Sequence, residues 1–290
     1  DCVDDCQHDK VGVSFDGETM TLARWPNAPD DVTSPETWTH ADNCSNGGID
    51  MDLPGALRMT HWKDEPKAFV HGYWAWDWAD CYGAILDIEQ GERSIHIHYS
   101  DALPKCKAGA RWMGTNILVE LDVPNEYYID DVEKLLYLIP PTGKSLNTSS
   151  VRLMYQSGGV VNVTSDAINV RLSNLDVRDG RHVGVLARNT LNLQLEDLIV
   201  HAHGTHGIDA TNATNGIVSG SQIYDVGCTG LRATAGDAAT LRQGNLSILG
   251  NIVHHYATWK RSYQPGIFWS GVGNVFRGNS VSFGPHNGFL

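Results

Sequence analysis

The sequence predicts an all-β protein whose second half, residues 149–290, is a parallel β-solenoid. A first observation is a repeat in which Gly is followed by an apolar residue, with steps of 23, 23, 36 and 22 residues. Its members are Gly184-Val185, Gly207-Ile208, Gly230-Leu231, Gly266-Ile267 and Gly288-Phe289. A second observation is the composition, because 30 glycines and weak helical periodicity are typical of all-β chains.

Two apolar columns keep nearly the same period, with steps of 23, 23, 30 and 28 residues. The columns are Leu172, Leu195, Val218, Ile248 and Phe276, and Val177, Val200, Ile223, Val253 and Val281. One turn, or rung, cannot bury its apolar edge alone, so the rungs are expected to stack with these columns inside. A leucine-rich repeat is the alternative, but the residues between the columns are Gly, Asn, Asp, Ser and Thr, which are poor helix formers.

The irregular steps mark two insertions, residues 233–244 and 257–264. Insertions on one side of a repeat array often build its binding face. We therefore expect the two insertions to form one cleft, with Asp237 and residues 259–263 within about 10 Å of each other, the reach of a glycosidase carboxyl pair.

Residues 15–148 are predicted to form an antiparallel, β-sandwich-like region, preceded by an acidic segment at residues 1–14. Strands are expected at residues 19–26, 94–99, 116–121 and 134–139. Alternation in residues 73–78 predicts a further strand with Trp74, Trp76 and Trp78 on one face. An aromatic core explains these tryptophans better than an exposed platform that stacks on sugars.

The net charge of −13, from 21 basic and 34 acidic residues, argues against nucleic acid or an anionic membrane as a partner. No apolar run approaches the roughly 20 residues of a membrane span. The chain is therefore expected to have neither a nucleic-acid partner nor a transmembrane segment.

Cysteines and glycosylation sequons favour a secreted protein. Disulfides are expected among Cys2, Cys6, Cys44, Cys81 and Cys106, while Cys228 is interpreted as a buried free thiol. Five Asn-x-Ser/Thr sequons predict N-linked glycans at Asn43, Asn147, Asn162, Asn212 and Asn245. Together these features predict an oxidising secretory route and an extracellular location.

Several motifs carry a family resemblance that spans most of the chain from Leu22 onward. They include Leu22-Ala23-Arg24-Trp25-Pro26-Asn27, His71-Gly72-Tyr73-Trp74, Val119-Glu120-Leu121-Asp122, Asn251-Ile252-Val253-His254 and Pro285-His286-Asn287. In order and spacing they resemble extracellular right-handed parallel β-helix repeat proteins. The resemblance implies a glycoside hydrolase-like protein of fucosidase or xylanase type that binds or cleaves a polysaccharide or oligosaccharide.

In that family an acidic segment follows the Pro-His motif, so the resemblance implies that the main catalytic carboxylates lie beyond Leu290. The alternative function is a non-catalytic structural or adhesive glycoprotein that self-associates, for example as a filament subunit. An open solenoid end could stack on another subunit and propagate head to tail. Whether these 290 residues form an enzyme is left open by the sequence.

Candidate site residues come from the insertions and the last rungs. Asp237, His255 and His286 are candidate catalytic residues, because an acid and imidazoles can transfer protons. Carbohydrate binding is expected at Trp259, Arg261, Tyr263 and Trp269, since aromatic rings stack on sugars and Arg pairs with carboxylates. For each group the alternative is a structural role within the solenoid.

Other polar positions are interpreted as structural. Asp179 and Asp225 occupy equivalent corners two rungs apart, about 10 Å at the spacing of strands, and each is expected to cap a turn. Alternation places His201 and His203 on one strand face, where a metal site with His255 is conceivable. We expect exposed histidines there instead, with neither a metal nor a cofactor.

Overall fold

A computed structural model describes residues 6, 11–29, 36–100 and 105–290. The described chain divides into two compact units, one containing Met20–Ser150 and the other Cys6–Thr19 with Val151–Leu290. The predicted acidic segment at residues 1–14 lies largely outside the described residues. No helix in the described part of the chain has the length and apolar character needed to cross a membrane.

The first unit is built mainly from antiparallel sheet, as the sequence predicts, although Thr21–Leu22 and Glu126–Asp130 pair in parallel. Its larger sheet consists of Arg24–Trp25, Thr39–His40, Asn43–Ser45, Gly48–Asp52, Phe69–Gly72, Cys81–Gln90, Ser94–Tyr99 and Arg111–Thr115. A smaller sheet contains Thr21–Leu22, Glu126–Asp130 and Leu135–Leu138. Two 3₁₀ helices, Leu57–Asp64 and Leu118–Glu120, complete the unit.

An aromatic core fills the first unit. Trp62, Trp74 and Trp112 are fully buried. The rings of Trp25 and Trp62 lie 6.1 Å apart, and those of Trp62 and Trp112 lie 6.2 Å apart in an edge-to-face arrangement. Such pairs add stabilisation beyond the area that they bury.

Residues 73–78 do not form the predicted strand. The strand ends at Gly72, and a turn follows in which the amide of Ala79 donates to the carbonyl of Trp76 (3.2 Å). Trp74 therefore points into the core, while Trp76 and Trp78 are 49% and 45% exposed. Alternation of aromatic and small residues could not distinguish a turn from a strand here.

The second unit is a parallel β-solenoid with three sheets, here called A, B and C in chain order within each rung. Sheet A consists of Gly159–Val163, Val183–Ala187, Ile208–Thr211, Leu231–Ala235 and Ile267–Gly271. Sheet B consists of Arg171–Ser173, Gln194–Glu196, Ile217–Ser219, Ser247–Leu249 and Val275–Arg277. Sheet C consists of Asp176–Gly180, Ile199–His203, Gln222–Val226, Ile252–His254 and Ser280–Ser282.

Shorter strands complete the second unit. Thr190–Leu191 and Ala213–Thr214 pair with each other beside the sheets. Gly12–Phe15 pairs antiparallel with Val151–Met154 and with Glu18–Thr19. The strand at residues 12–15 thus belongs to the solenoid unit, which its sequence did not indicate.

The predicted apolar columns are confirmed. Leu172 pairs with Leu195, Leu195 with Val218, Val218 with Ile248, and Ile248 with Phe276. The column from Val177 to Val281 keeps the same register in sheet C. Both columns belong to one continuous hydrophobic core, so each rung buries its apolar edge against its neighbours.

Disulfides occur in both units, and one pairing corrects the sequence interpretation. Cys44 is bonded to Cys106 in the first unit, and Cys6 to Cys228 in the second. Cys228 is fully buried, as expected, but it is not a free thiol. Cys81 is also disulfide-bonded, whereas Cys2 lies outside the described residues.

Candidate functional site

Both insertions border sheet A, at its opposite ends. The first follows the strand Leu231–Ala235, and the second precedes the strand Ile267–Gly271, which pairs with it in register from Leu231↔Ile267 to Ala235↔Gly271. Five residues of strand span about 17 Å. The two insertions therefore lie at opposite ends of the sheet A strands, and the expected separation of about 10 Å stays a prediction.

The outer face of sheet A carries one register column of large side chains. Val185, Ile208 and Leu231 belong to the interior core, so the next residue in each strand faces outward. Paired in register, these outward residues are Leu186, Asp209, Arg232 and Phe268. They form the floor between the two insertions.

Asp209 is the centre of this floor. Its carboxylate is fully buried and accepts hydrogen bonds at Oδ2 from Nε and Nη2 of Arg188, with the Nε contact at 2.7 Å. The hydroxyl of Thr211 donates to Oδ1 at 2.5 Å. Burial opposes ionisation, but these donors and the charge of Arg188 hold the pKa of Asp209 below its usual value. Asp209 is therefore an anchored anion.

Arg232 occupies the next rung of the floor. Its guanidinium lies 5.3 Å from the ring centroid of Phe268, a cation–π distance. Nε of Arg232 and Nδ1 of the neighbouring His206 are buried without a hydrogen-bond partner in the described structure. Burial, followed by the charge of Arg232, lowers the pKa of His206 to about 4, so its imidazole is neutral at pH 7.

Asp237 caps a turn in the first insertion. Its Oδ2 accepts from the Thr240 hydroxyl at 2.7 Å and its Oδ1 from the Ala239 amide at 2.9 Å. The hydrogen bond from Thr240 is the main reason that the pKa of Asp237 is lowered. A carboxylate engaged in this way suits a turn better than acid catalysis.

The second insertion runs back along the preceding rung. The amides of Trp259 and Lys260 both donate to the carbonyl of Gly227. A side chain at position 227 would place its Cβ 2.0 Å from the carbonyl oxygen of Gly204, so only glycine fits there. This close approach holds half-buried Trp259 against the solenoid, the structural alternative considered for it.

Tyr263 and His286 come together near this insertion. The amide of Tyr263 approaches Nδ1 of His286 at 3.4 Å, and the two rings lie 5.4 Å apart. Half-buried Arg261 lies in the same insertion. The roles predicted for these residues stay predictions.

Trp269 is not a floor residue. It pairs in register with Ala233, which pairs with Ala210, and both alanines are buried in the core. Trp269 continues the column of these alanines in the last strand of sheet A and stacks on Phe276 at 5.2 Å. Trp269 is nevertheless 45% exposed, and its predicted role in carbohydrate binding stays a prediction.

His255 lies on the outer side of sheet C, apart from Asp237. Its Nδ1 is 2.7 Å from Nδ1 of His254, and its ring stacks on Phe283 at 4.9 Å. Along the same sheet the rings of His201, Tyr224 and His254 stack with spacings of 4.7 and 4.9 Å. These rings cover one another's faces, so they build a stacked ladder rather than a stacking platform.

The expectation that His201 and His203 share a strand face is wrong. Ala202 between them has a left-handed φ of 56°. The ladder pairs Arg178 with His201 and Gly180 with His203, and Ala202 itself is not paired. This left-handed corner directs His201 to the outer ladder and buries His203, whose Nε2 lies 3.0 Å from the carbonyl oxygen of Val177. Neither histidine is exposed, and no cluster of metal ligands occurs among the described residues.

Asp179 and Asp225 occupy the same left-handed corner as Ala202, with φ 62° and 51°. Asp179 accepts from the Ser14 hydroxyl at 2.7 Å and from Arg152 at 3.2 Å, which fits a structural role. Burial raises the pKa of Asp225 above its usual value. The two carboxylates thus have different environments.

Comparison with known proteins agrees with this architecture. A family model described as a right handed beta helix region matches residues 147–281. The second unit is thus a β-helix built from repeated rungs. A search of curated proteins found no match.

This β-helix protein also resembles a solved structure described as a glycoside hydrolase. The two share 13% sequence identity with a TM-score of 0.64, over 93% of this chain and 68% of that one. At such low identity the similarity shows a shared fold alone.

Sequence reasoning missed the floor of the β-helix protein. Asp209 and Arg232 each lie two residues after a repeated glycine, Gly207 and Gly230. That position faces outward in every rung of sheet A. The repeat therefore marked the position of Asp209 and Arg232. Recognising it as a candidate site required knowing which sheet the insertions flank.

Proposed function

We propose that this protein binds an acidic polysaccharide or oligosaccharide along the outer face of sheet A. The observation that carries the proposal is the Arg188–Asp209–Arg232 cluster, in which one fully buried carboxylate is hydrogen-bonded by Arg188 and pairs in register with Arg232, whose charge also stabilises it. The cluster carries a net positive charge in a chain whose net charge is −13. A local excess of cation suits the carboxylate or sulfate of an acidic sugar.

The arrangement offers both charge and a stacking surface. The Arg188 side chain is 53% exposed, and Asp209 fixes its orientation through Nε and Nη2. Fixing a guanidinium beforehand reduces the entropy lost when an anion binds. Phe268 supplies an aromatic ring next to Arg232.

Binding is better supported than cleavage. Glycoside hydrolysis generally needs two carboxyl groups, one of them a general acid with a raised pKa. The pKa values of Asp209 and Asp237 are both lowered, so neither carboxyl suits the role of acid. The resemblance to a glycoside hydrolase structure supports a carbohydrate ligand in general.

The test measures binding of polygalacturonate by calorimetry, with uncharged dextran as the comparison polymer. Arg188→Ala and Arg232→Ala should each weaken binding by at least about tenfold, the loss of one charge-assisted contact. Arg171→Ala is the matched control, because Arg171 also pairs with a carboxylate between rungs, but on sheet B. Equal losses in all three variants, or equal binding of dextran, would contradict the proposal.

Secretion is part of the same proposal. All five sequon asparagines are exposed, but the side chains of Asn212 and Asn245 donate to Asn189 and Asn215 in ladders between rungs, whereas Asn43, Asn147 and Asn162 form no such ladder. In a eukaryotic secretory host, glycans are expected first at Asn43 and Asn147, because Asn162 pairs in register with Leu186 at the start of the proposed binding face. Peptide mapping that found all five sequons unmodified would contradict the secretory route.

A further inference from the structure

We propose that the outer face of sheet A holds two separate anion-binding positions, Arg188 and Arg232, which select oligosaccharides whose acidic groups face the protein at alternate sugars. This inference rests on the proposed function, because it specifies the ligand of the same site. It follows from the order and the spacing of the charges along the solenoid axis. The spacing also sets the shortest ligand that can contact both arginines.

The two arginines lie two rungs apart. Arg188 follows the sheet A strand Val183–Ala187, Asp209 lies in the next strand of the sheet, and Arg232 pairs in register with Asp209 from the strand after that. Neighbouring strands are about 4.8 Å apart, so two rungs correspond to about 10 Å along the axis. A ligand must therefore present two acidic groups near this separation to contact both arginines.

The side-chain contacts maintain this separation. The guanidinium of Arg188 extends towards Asp209 in the next rung, where its Nε donates at 2.7 Å. The guanidinium of Arg232 also extends towards the next rung, where it lies 5.3 Å from the ring centroid of Phe268. Because both groups extend by one rung in the same direction, they stay about two rungs apart.

A negative charge separates the two cations. Asp209 is fully buried between the rungs of Arg188 and Arg232. Burial opposes ionisation of its carboxyl group, but hydrogen bonds and the charges of the two arginines hold the pKa of this group below its usual value. The charges along the axis therefore run positive, negative, positive. An acidic group of the ligand directly above Asp209 is disfavoured because like charges repel, whereas a neutral group is tolerated there.

Sheet B provides a comparison within the same solenoid. Its Arg171 also pairs with a carboxylate of the next rung, because Nε of Arg171 donates to Glu196 at 2.8 Å. The register Arg171↔Gln194 and Gln194↔Ile217 shows that the position two rungs along is apolar. This part of sheet B thus has an arginine–carboxylate pair without a second cation at the same interval.

The first test measures the affinity of the whole chain for mono-, di- and trigalacturonate by calorimetry at low salt. Only the trimer has acidic groups on alternate sugars, so it should bind at least about tenfold more tightly than the dimer, the gain from one further charge-assisted contact. Arg232→Ala should abolish this increase, while Arg232→Lys, which keeps the charge, should retain most of it. Arg171→Ala is the matched control and should leave the increase unchanged.

The second test uses wild-type protein and methyl esters of the trimer, so its result does not depend on the folding of a variant. An ester on the central sugar should change the affinity by less than about twofold, because the central acid does not contact either arginine. An ester on the first or third sugar should lower the affinity to that of the dimer. A central ester that costs as much as a terminal ester would contradict the alternate arrangement.

The results distinguish this inference from the proposed function. If polygalacturonate binds through Arg188 but the affinity rises evenly with each added sugar, the inference is overturned and the proposed function stands. The same holds if the increase from dimer to trimer persists in Arg232→Ala. If neither the polymer nor any oligomer binds, the proposed function is refuted, and the inference with it.

Discussion

The guanidinium of Arg188 donates from both Nε and Nη2 to a single oxygen of Asp209, which lies 21 residues further along the chain. The solenoid makes this contact, because residues one rung apart become neighbours. The other carboxylate oxygen accepts from the amide and the hydroxyl of Thr211. Asp209 thus satisfies both of its oxygens while it orients the cation that we assign to ligand binding.

Asp209→Asn should destabilise the second unit by about 1.5–3 kcal/mol, the value of hydrogen bonds to a charged group. The asparagine side chain supplies one acceptor oxygen, whereas the carboxylate supplies two. Its NH₂ group would face either the Arg188 donors or the backbone amide of Thr211. Amide hydrogen exchange in the strand Ile208–Thr211 measures the effect.

The control for Asp209→Asn is Glu196→Gln. Glu196 also pairs with an arginine of the adjacent rung, Arg171, whose side chain is 63% exposed. Exposed ion pairs contribute about 0–1 kcal/mol, so this variant should change the free energy of unfolding very little. A cost for Glu196→Gln as large as that for Asp209→Asn would contradict the assignment.

The sequence predicted the solenoid because its strongest constraint is periodic. Stacked rungs must repeat apolar residues such as Leu195 and Val218 at one position, so the period is readable without a structure. Local conformation was less readable. The left-handed φ of 56° at Ala202 turns the His203 side chain to the opposite face from the one that alternation predicts. Alanine does not favour this conformation, so the sequence did not indicate it.

The site was predicted less well than the fold for a related reason. Asp237 and Trp259 were grouped because both lie in insertions, yet a full strand of sheet A separates them. Trp269 was grouped with the insertion residues, although it lies one position beyond the outward column that ends at Phe268. Residue types indicated carbohydrate chemistry, but only pairing between rungs shows which of them share a face.

Removing the Cys6–Cys228 disulfide should destabilise the second unit. The bond has a sequence separation of 222 residues, and cross-links over long loops restrict the unfolded chain most. The double variant Cys6→Ser, Cys228→Ser should lower the free energy of unfolding by about 2–4 kcal/mol. Hydrogen exchange in sheet C should quicken, while the matched Cys44→Ser, Cys106→Ser variant should affect the first unit instead.

His203 should make the second unit sensitive to acid. Burial lowers its pKa from 6.5 to about 4 in the folded protein. Between pH 6.5 and 4 the unfolded chain takes up a proton that the folded chain does not, so stability falls as pH falls through this window. The loss amounts to at most about 3 kcal/mol.

His203→Gln should reduce this pH dependence, because glutamine retains a donor for the Val177 carbonyl but does not titrate. His206 also has a pKa lowered to about 4, so the double variant His203→Gln, His206→Gln should reduce the dependence further. Urea unfolding at pH 4.5, 5.5 and 7 measures the slopes. An unchanged slope in the double variant would refute the role of these two imidazoles.

Glu126 should give the first unit the opposite response. This side chain is 1% exposed, and burial raises its pKa from 4.5 to about 7. The folded state therefore holds a proton that the unfolded state releases between pH 4.5 and 7, so its contribution to stability is lost as pH rises through that window. The stability of Glu126→Gln should match that of wild type near pH 4.5 and exceed it above pH 7 by at most about 3 kcal/mol.

The control is Glu120→Gln, because Glu120 is equally buried but accepts hydrogen bonds from Arg58 and Trp62, so loss of its carboxylate should destabilise the unit at pH 7. Tryptophan fluorescence during urea unfolding reports mainly on this unit, which contains seven of the nine tryptophans. A Glu126→Gln variant that is less stable than wild type at pH 8 would show that the carboxylate is ionised in the fold.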